Sequence, residues 1–112
     1  MRVAKVDHYA APNKTLCDYD SPAKPPRLDR ILGLARMIGA KPRAIELARS
    51  RRGWHMAIIW NRDFEPAQLI ALQLLLGSDQ NREALNLSRV LCGLHTEAHE
   101  RGWNILFSSK VL

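Results

Sequence analysis

From Trp54 to Asn61 the side chains alternate between two faces of an extended segment. Trp54, Met56, Ile58 and Trp60 fall on one side, and His55, Ala57 and Ile59 on the other. A strand with so large an apolar face must sit in a sheet and bury that face under a second layer. The same alternation parts His55 from the tryptophans, so one sheet face does not carry both. Upstream, Arg49-Ser-Arg-Arg-Gly53 is a basic turn, and Ala44 to Ala48 reads as the strand it joins to the first in a hairpin.

The remaining segments arrange themselves around this hairpin. Lys14 to Asp20 predicts a strand with Leu16, Asp18 and Asp20 on one face and Cys17 and Tyr19 on the other, and Val3 to Val6 offers an edge strand. Ser21-Pro-Ala-Lys-Pro-Pro26 ends the ladder, because proline lacks the donor a ladder needs. From Arg27 to Ile38, Leu28, Ile31, Leu32, Ala35 and Ile38 follow helical spacing, with Gly39 placed for a left-handed cap. Pro66 suits a first helical turn and Ala67 to Leu76 a largely apolar helix. Gly77-Ser78-Asp79 interrupts it before a helix from about Gln80 to Cys92 with Ala84, Leu87 and Leu91 along one stripe. Trp103 to Phe107 alternates as a final strand.

The order β-α-β-β-α-α-β predicts an α+β fold of the ferredoxin-like or RRM-like kind, a split β-α-β arrangement. It implies a four-stranded, mainly antiparallel sheet with helices on one face. The 112 residues suit a single domain spanning 1–112.

Seventeen Lys and Arg against eleven Asp and Glu give a net charge of +6, and a pI near 9.9. A basic domain attracts polyanions, of which nucleic acid is the usual one. Lys41, Arg43, Arg49, Arg51 and Arg52 crowd into one short stretch before the aromatic strand. The longest apolar stretch is interrupted by Gln68 and Gln73 and is shorter than the roughly 20 residues a bilayer requires. Arg2 and Lys5 lead into Asp7 and His8 rather than an apolar core, so no membrane and no secretory signal are expected. The expected location is the cytoplasm, of its own cell or of a host. Cys17 and Cys92 form no CxxC pair and are expected to be buried free thiols. His95 and His99, four apart, are expected at the surface.

Asp18 and Asp20 put two carboxylates on one strand face, a spacing that suits Mg²⁺ or Mn²⁺ held with substrate phosphates. The plainer reading is a strand running into a turn, where Asp is common. In Ser50-Arg-Arg-Gly-Trp-His55, Ser and Arg are phosphate donors, Gly53 permits close backbone approach, and His55 adds a donor beside the acids if the strands adjoin. The plainer reading is a basic turn followed by a partly buried His. For Trp54, base stacking and core packing are both open; Trp60, beside Met56 and Ile58, is expected in the core.

The Asp-Tyr-Asp strand, followed by the small-x-x-Gly-x-His element, resembles the archaeo-eukaryotic primase superfamily over roughly residues 14 to 95. The resemblance implies an RRM-like palm in which Asp18 and Asp20 hold divalent metals while Ser50 and His55 contact the phosphates of a nucleoside triphosphate. Arg52 would join that grip. Asp79 stands where the family has its third acid, but follows Ser78 rather than an apolar residue. Arg89-Val-Leu-Cys-Gly93-Leu-His95 loosely resembles the downstream element, without its proline. The expectation is a replication protein of a virus, phage or mobile element that binds single-stranded or template-primer DNA, with Mg or Mn as cofactor if catalytic. Catalytic candidates are Asp18, Asp20 and His55; metal candidates are Asp18, Asp20 and Asp79. Nucleic-acid candidates are Arg49, Ser50, Arg51, Arg52, Trp54, Lys41 and Arg43. Two other readings stay open: a non-catalytic single-stranded nucleic-acid-binding module, and an adaptor whose Ala67 to Leu76 helix docks a replication partner or makes a homodimer.

Overall fold

A computed structural model of the chain describes residues 5–8, 11–92, 104 and 106–109. The elements run β1 (Lys5–His8), β2 (Lys14–Asp20), α1 (Leu28–Ile38), β3 (Pro42–Arg49), β4 (Gly53–Trp60), α2 (Pro66–Leu75), α3 (Gln80–Leu91) and β5 (Leu106–Ser109). In the main sheet the strand order is β2-β4-β3, and both pairings are antiparallel. Strands β2 and β3 therefore run parallel on either side of β4, with α1 connecting them: a split β-α-β unit.

Helix α1 forms where the apolar spacing places it and buries Ile31 and Ala35. Asp29 in its first turn and Arg36 in its last complement the helix dipole, and Gly39 closes it at φ 67°. Helix α2 opens with Pro66 and a capping box in which the Glu65 amide donates to Gln68 Oε1 at 2.9 Å. Both helices lie on the same face of the sheet. There Cys17, Tyr19, Met56, Ile58 and Trp60 pack with Ile31 and Ala35 of α1 and with Leu69, Ile70, Leu72 and Leu76 of α2. Each fully buried large side chain contributes on the order of 1.5–3 kcal/mol. Trp60 is wholly buried, donates from Nε1 to Thr15 Oγ1 at 3.1 Å, and meets the edge of Phe64 at 6.2 Å, so it is a core residue.

Three expectations need correction. The main sheet has three strands rather than four. The last strand, Leu106–Ser109, pairs with Lys5–His8 in a separate two-stranded sheet. Cys17 is buried as expected, but Cys92 is exposed at the end of α3. Finally, α3 is turned the other way: Ala84, Leu87 and Leu91 are exposed, while Glu83 and Asn86 are buried.

The physical reason is the outer edge of β2, which is closed by side chains and a loop. Gln73 Oε1 accepts from the Leu16 amide at 2.9 Å, and Arg82 Nη1 donates to the Leu16 carbonyl at 2.6 Å. Ser78 Oγ accepts from the Asp18 amide at 3.0 Å, and the Asp79 amide donates to the Asp18 carbonyl at 2.8 Å. These bonds do what a neighbouring strand's backbone would do. Behind them the Glu83 carboxylate, 1% exposed, accepts from Gln73 Nε2, Ser78 Oγ, Arg82 Nη1 and Asn86 Nδ2. Asn104 joins by donating to Gln73 Oε1 and accepting from Arg82 Nη2. A polar edge needs polar partners, so α3 presents its polar stripe inward and leaves leucines outside. Within this network Arg82 and Glu83 form an ion pair at 2.6 Å.

Candidate nucleic-acid interface

The register of β2 against β4 sets Asp18 opposite His55 and Asp20 opposite Gly53. His55 Nε2 lies 3.3 Å from Asp18 Oδ1, on the sheet face away from α1 and α2. The convergence of acid and imidazole expected from the alternation is present. The imidazole is buried, in the direction of the plainer reading: His55 is only 8% exposed, and Leu16 and Ala57 beside it are buried as well. Of the two aspartates, Asp20 is the exposed one.

Asp79 reaches the same neighbourhood through its backbone amide on the Asp18 carbonyl, but its carboxylate is the N-cap of α3 and accepts from the Arg82 amide at 2.9 Å. Among the described residues, no group of three or more His, Cys, Asp or Glu side chains is disposed to hold a metal ion. Among the described residues the carboxylates of Asp18, Asp20 and Asp79 therefore do not gather into the trio the resemblance implies.

The basic residues divide. Arg49, Ser50, Arg51, Arg52 and Trp54 gather at the β3–β4 turn, whereas Lys41 and Arg43 lie at the far end of β3, where Pro42 pairs with Trp60. Strand β3 spans about 23 Å at its usual rise, so the sequence cluster becomes two separate sites.

The turn is rigidly made. The Ser50 amide donates to the Gly53 carbonyl at 2.9 Å, and Ser50 Oγ accepts from the Gly53 amide at 3.1 Å. Gly53 is required for a close backbone approach: a Cβ there would run into the carbonyl of Tyr19. The Ser21 amide donates to the Arg52 carbonyl at 2.7 Å and draws the loop after β2 alongside the turn.

Between loop and turn lies a recess of about 320 Å³ lined by Lys24, Arg49, Arg51, Arg52, Ser50 and Trp54, among others. It holds four cationic side chains and, among the described residues that line it, no carboxylate. Cations gathered this way repel one another until an anion enters, and Arg and Lys donors suit phosphate oxygens. The Arg49 guanidinium sits 4.7 Å from the centroid of the half-buried Trp54 ring, a cation–π contact that orients it at the rim. Lys24 was not singled out by sequence reasoning. Its signal was faint: a lone cation in the proline-rich break after β2.

The neighbouring thiol and phenol are not reactive groups. Burial pushes the Cys17 thiol from 9.0 up to about 12. Burial also raises the Tyr19 phenol, whose hydroxyl donates to the Leu76 carbonyl at 2.7 Å. Among the described residues no helix is long and apolar enough to cross a membrane. His95, His99 and Trp103 lie outside the described residues.

Compared with known proteins, the chain matches no family model, no curated protein and no solved structure.

Proposed function

We propose that the chain is a nucleic-acid-binding domain that grips the phosphate backbone of a single strand in the recess between the Ser21–Lys24 loop and the β3–β4 turn. One observation carries this reading: four cations and a half-buried tryptophan converge on a recess that no acidic side chain lines, among the described residues. Phosphate contacts supply affinity and orientation without reading sequence. Such a site suits a non-catalytic module or a replication accessory protein. In this reading the split β-α-β unit is a ferredoxin-like or RRM-like half whose fourth-strand position is taken by the α2–α3 junction. Bases are not stacked across the sheet, because Tyr19, Trp54 and Trp60 belong to the helix-covered face.

A second reading, metal-dependent nucleotidyl transfer of the primase kind with Asp18, Asp20 and His55 at its centre, is favoured by the 3.3 Å approach of His55 to Asp18. Fluorescence anisotropy of labelled oligothymidine across salt, with and without Mn²⁺, tests both. The binding domain predicts affinity that falls with salt, survives Asp18→Ala, and loses about two units of salt slope in the Arg51→Ala/Arg52→Ala double variant. Absence of strand binding, or a double variant that binds like the parent, overturns it. Mn²⁺-dependent nucleotide binding abolished by Asp18→Ala would establish the second reading instead.

A further inference from the structure

Resting on the nucleic-acid reading, we propose that the basic recess takes the end of a strand, holding a terminal phosphomonoester in preference to the diester links within the chain. The recess is a notch and not a channel. Its two walls, the Ser21–Lys24 loop and the β3–β4 turn, meet behind it. There the Ser21 amide donates to the Arg52 carbonyl at 2.7 Å, and the Gly53 backbone lies so close to the Tyr19 carbonyl that a Cβ would not fit. A strand therefore has no way through between loop and turn. A volume of about 320 Å³ is also at the small end of ligand-pocket sizes, room for one nucleotide unit and not for a run of them.

Charge fits an end better than a link. A diester carries one negative charge, whereas a terminal phosphate carries about 1.5 to 2 near neutral pH, its second pKa being about 6. Lys24, Arg49, Arg51 and Arg52 line the recess with no carboxylate among its described lining residues, and a dianion relieves their mutual repulsion further than a monoanion does. Of the acids nearby in the chain, Asp20 and Glu46 lie on the sheet face of His55, opposite that of Trp54, and Asp29 lies 3.9 Å from Arg27. The stacking surface is single as well. The Arg49 guanidinium lies 4.7 Å from the Trp54 ring centroid, and Trp54 is the one aromatic among the described residues that line the recess. A terminal base has a free face to lay on a guanidinium plane, whereas an internal base is flanked on both sides.

The test reads anisotropy on the intact chain with oligothymidines labelled at an internal base and carrying a 5′-phosphate, a 3′-phosphate or hydroxyls at both ends. A phosphate at one of the two ends is expected to tighten binding at least ~tenfold over the hydroxyl-ended strand, as a further charge-assisted contact does. That gain should shrink from about pH 7 to about pH 5, where the terminal phosphate takes up its second proton. The exposed-site variant Lys24→Ala should lose most of the gain, and Lys41→Ala should keep it. Equal binding by all three strands overturns the inference and leaves the nucleic-acid reading standing, whereas binding by none overturns both. A gain that survives Lys24→Ala, or that is the same at both pH values, overturns it by placing the terminal phosphate elsewhere. Thymidine 5′-monophosphate binding as tightly as the 5′-phosphorylated strand would overturn it in favour of a free nucleotide.

Discussion

The side-chain carbonyl of Gln73 accepts the Leu16 amide at 2.9 Å, filling from a helix the place of a neighbouring strand's backbone. That oxygen also accepts from Asn104 Nδ2, and the amide nitrogen of Gln73 donates to the buried Glu83. Replacing Gln73 with leucine keeps the volume and strips partners from three buried groups. Urea unfolding of Gln73→Leu is expected to show a loss of about 2–4 kcal/mol, because orphaned buried polar groups forfeit their full solvation.

Two glycines should respond in opposite directions. A Cβ on Gly53 collides with the Tyr19 carbonyl, whereas one on Gly33, inside α1, meets nothing within 4 Å. Thermal melts should show Gly53→Ala destabilised by roughly 1–3 kcal/mol through the forced opening of β2 from β4. Gly33→Ala should gain about 0.5–1 kcal/mol from helix propensity.

The recess makes a positional prediction about cations that the sequence does not distinguish. Lys24 lines it, and Lys41 sits beyond the opposite end of β3. Lys24→Glu should weaken oligothymidine binding and lower the salt slope by about one unit. Lys41→Glu should change neither by a comparable amount, as anisotropy titrations at two salt concentrations will read.

The alkaline limb of stability should be set by Cys17 and Tyr19. Both groups are held neutral by burial, so their folded-state values lie above their unfolded ones, with Cys17 moved from 9.0 to about 12. A raised value means the folded chain keeps a proton that the unfolded chain releases. Stability is therefore full below pH 9.0 and declines from there toward pH 12, by at most about 1.4 kcal/mol per pH unit for each proton. Denaturant midpoints measured at rising pH check the sign, and Cys17→Ser should flatten part of the decline. In native protein at mild pH, a thiol reagent should modify the exposed Cys92 promptly and Cys17 only on unfolding.

Alternation and turn chemistry made the main sheet's strands, their faces and the α1 cap legible before any coordinates. Asp18, Asp20 and His55 share one face because β2 and β4 pair in the register that sets Cys17 and Tyr19 with Met56 and Trp54 on the other. Periodicity says nothing about what lies above a face, so the alternation alone does not decide between a partly buried and an open His55. The closed edge of β2 escaped for a related reason. Glu83, Asn86 and Arg82 on a helix resemble a solvated stripe unless one knows that they meet strand backbone instead of water. Gln73, set inside the apolar run Ala67 to Leu76, was the available hint: a polar residue kept on a buried helix face needs a partner there. The splitting of the basic cluster was likewise hidden, since residues close in sequence lie far apart when a strand runs between them.

Sealing one flank of the main sheet limits how molecules can join. A growing fibril of sheets needs two adhesive sides per unit, and a chain with a single receptive side ends any row it enters. Among the described residues the arrangement at Leu16 and Asp18 leaves β3 as the flank along which the main sheet could lengthen, so growth of that sheet would stop at its β2 side.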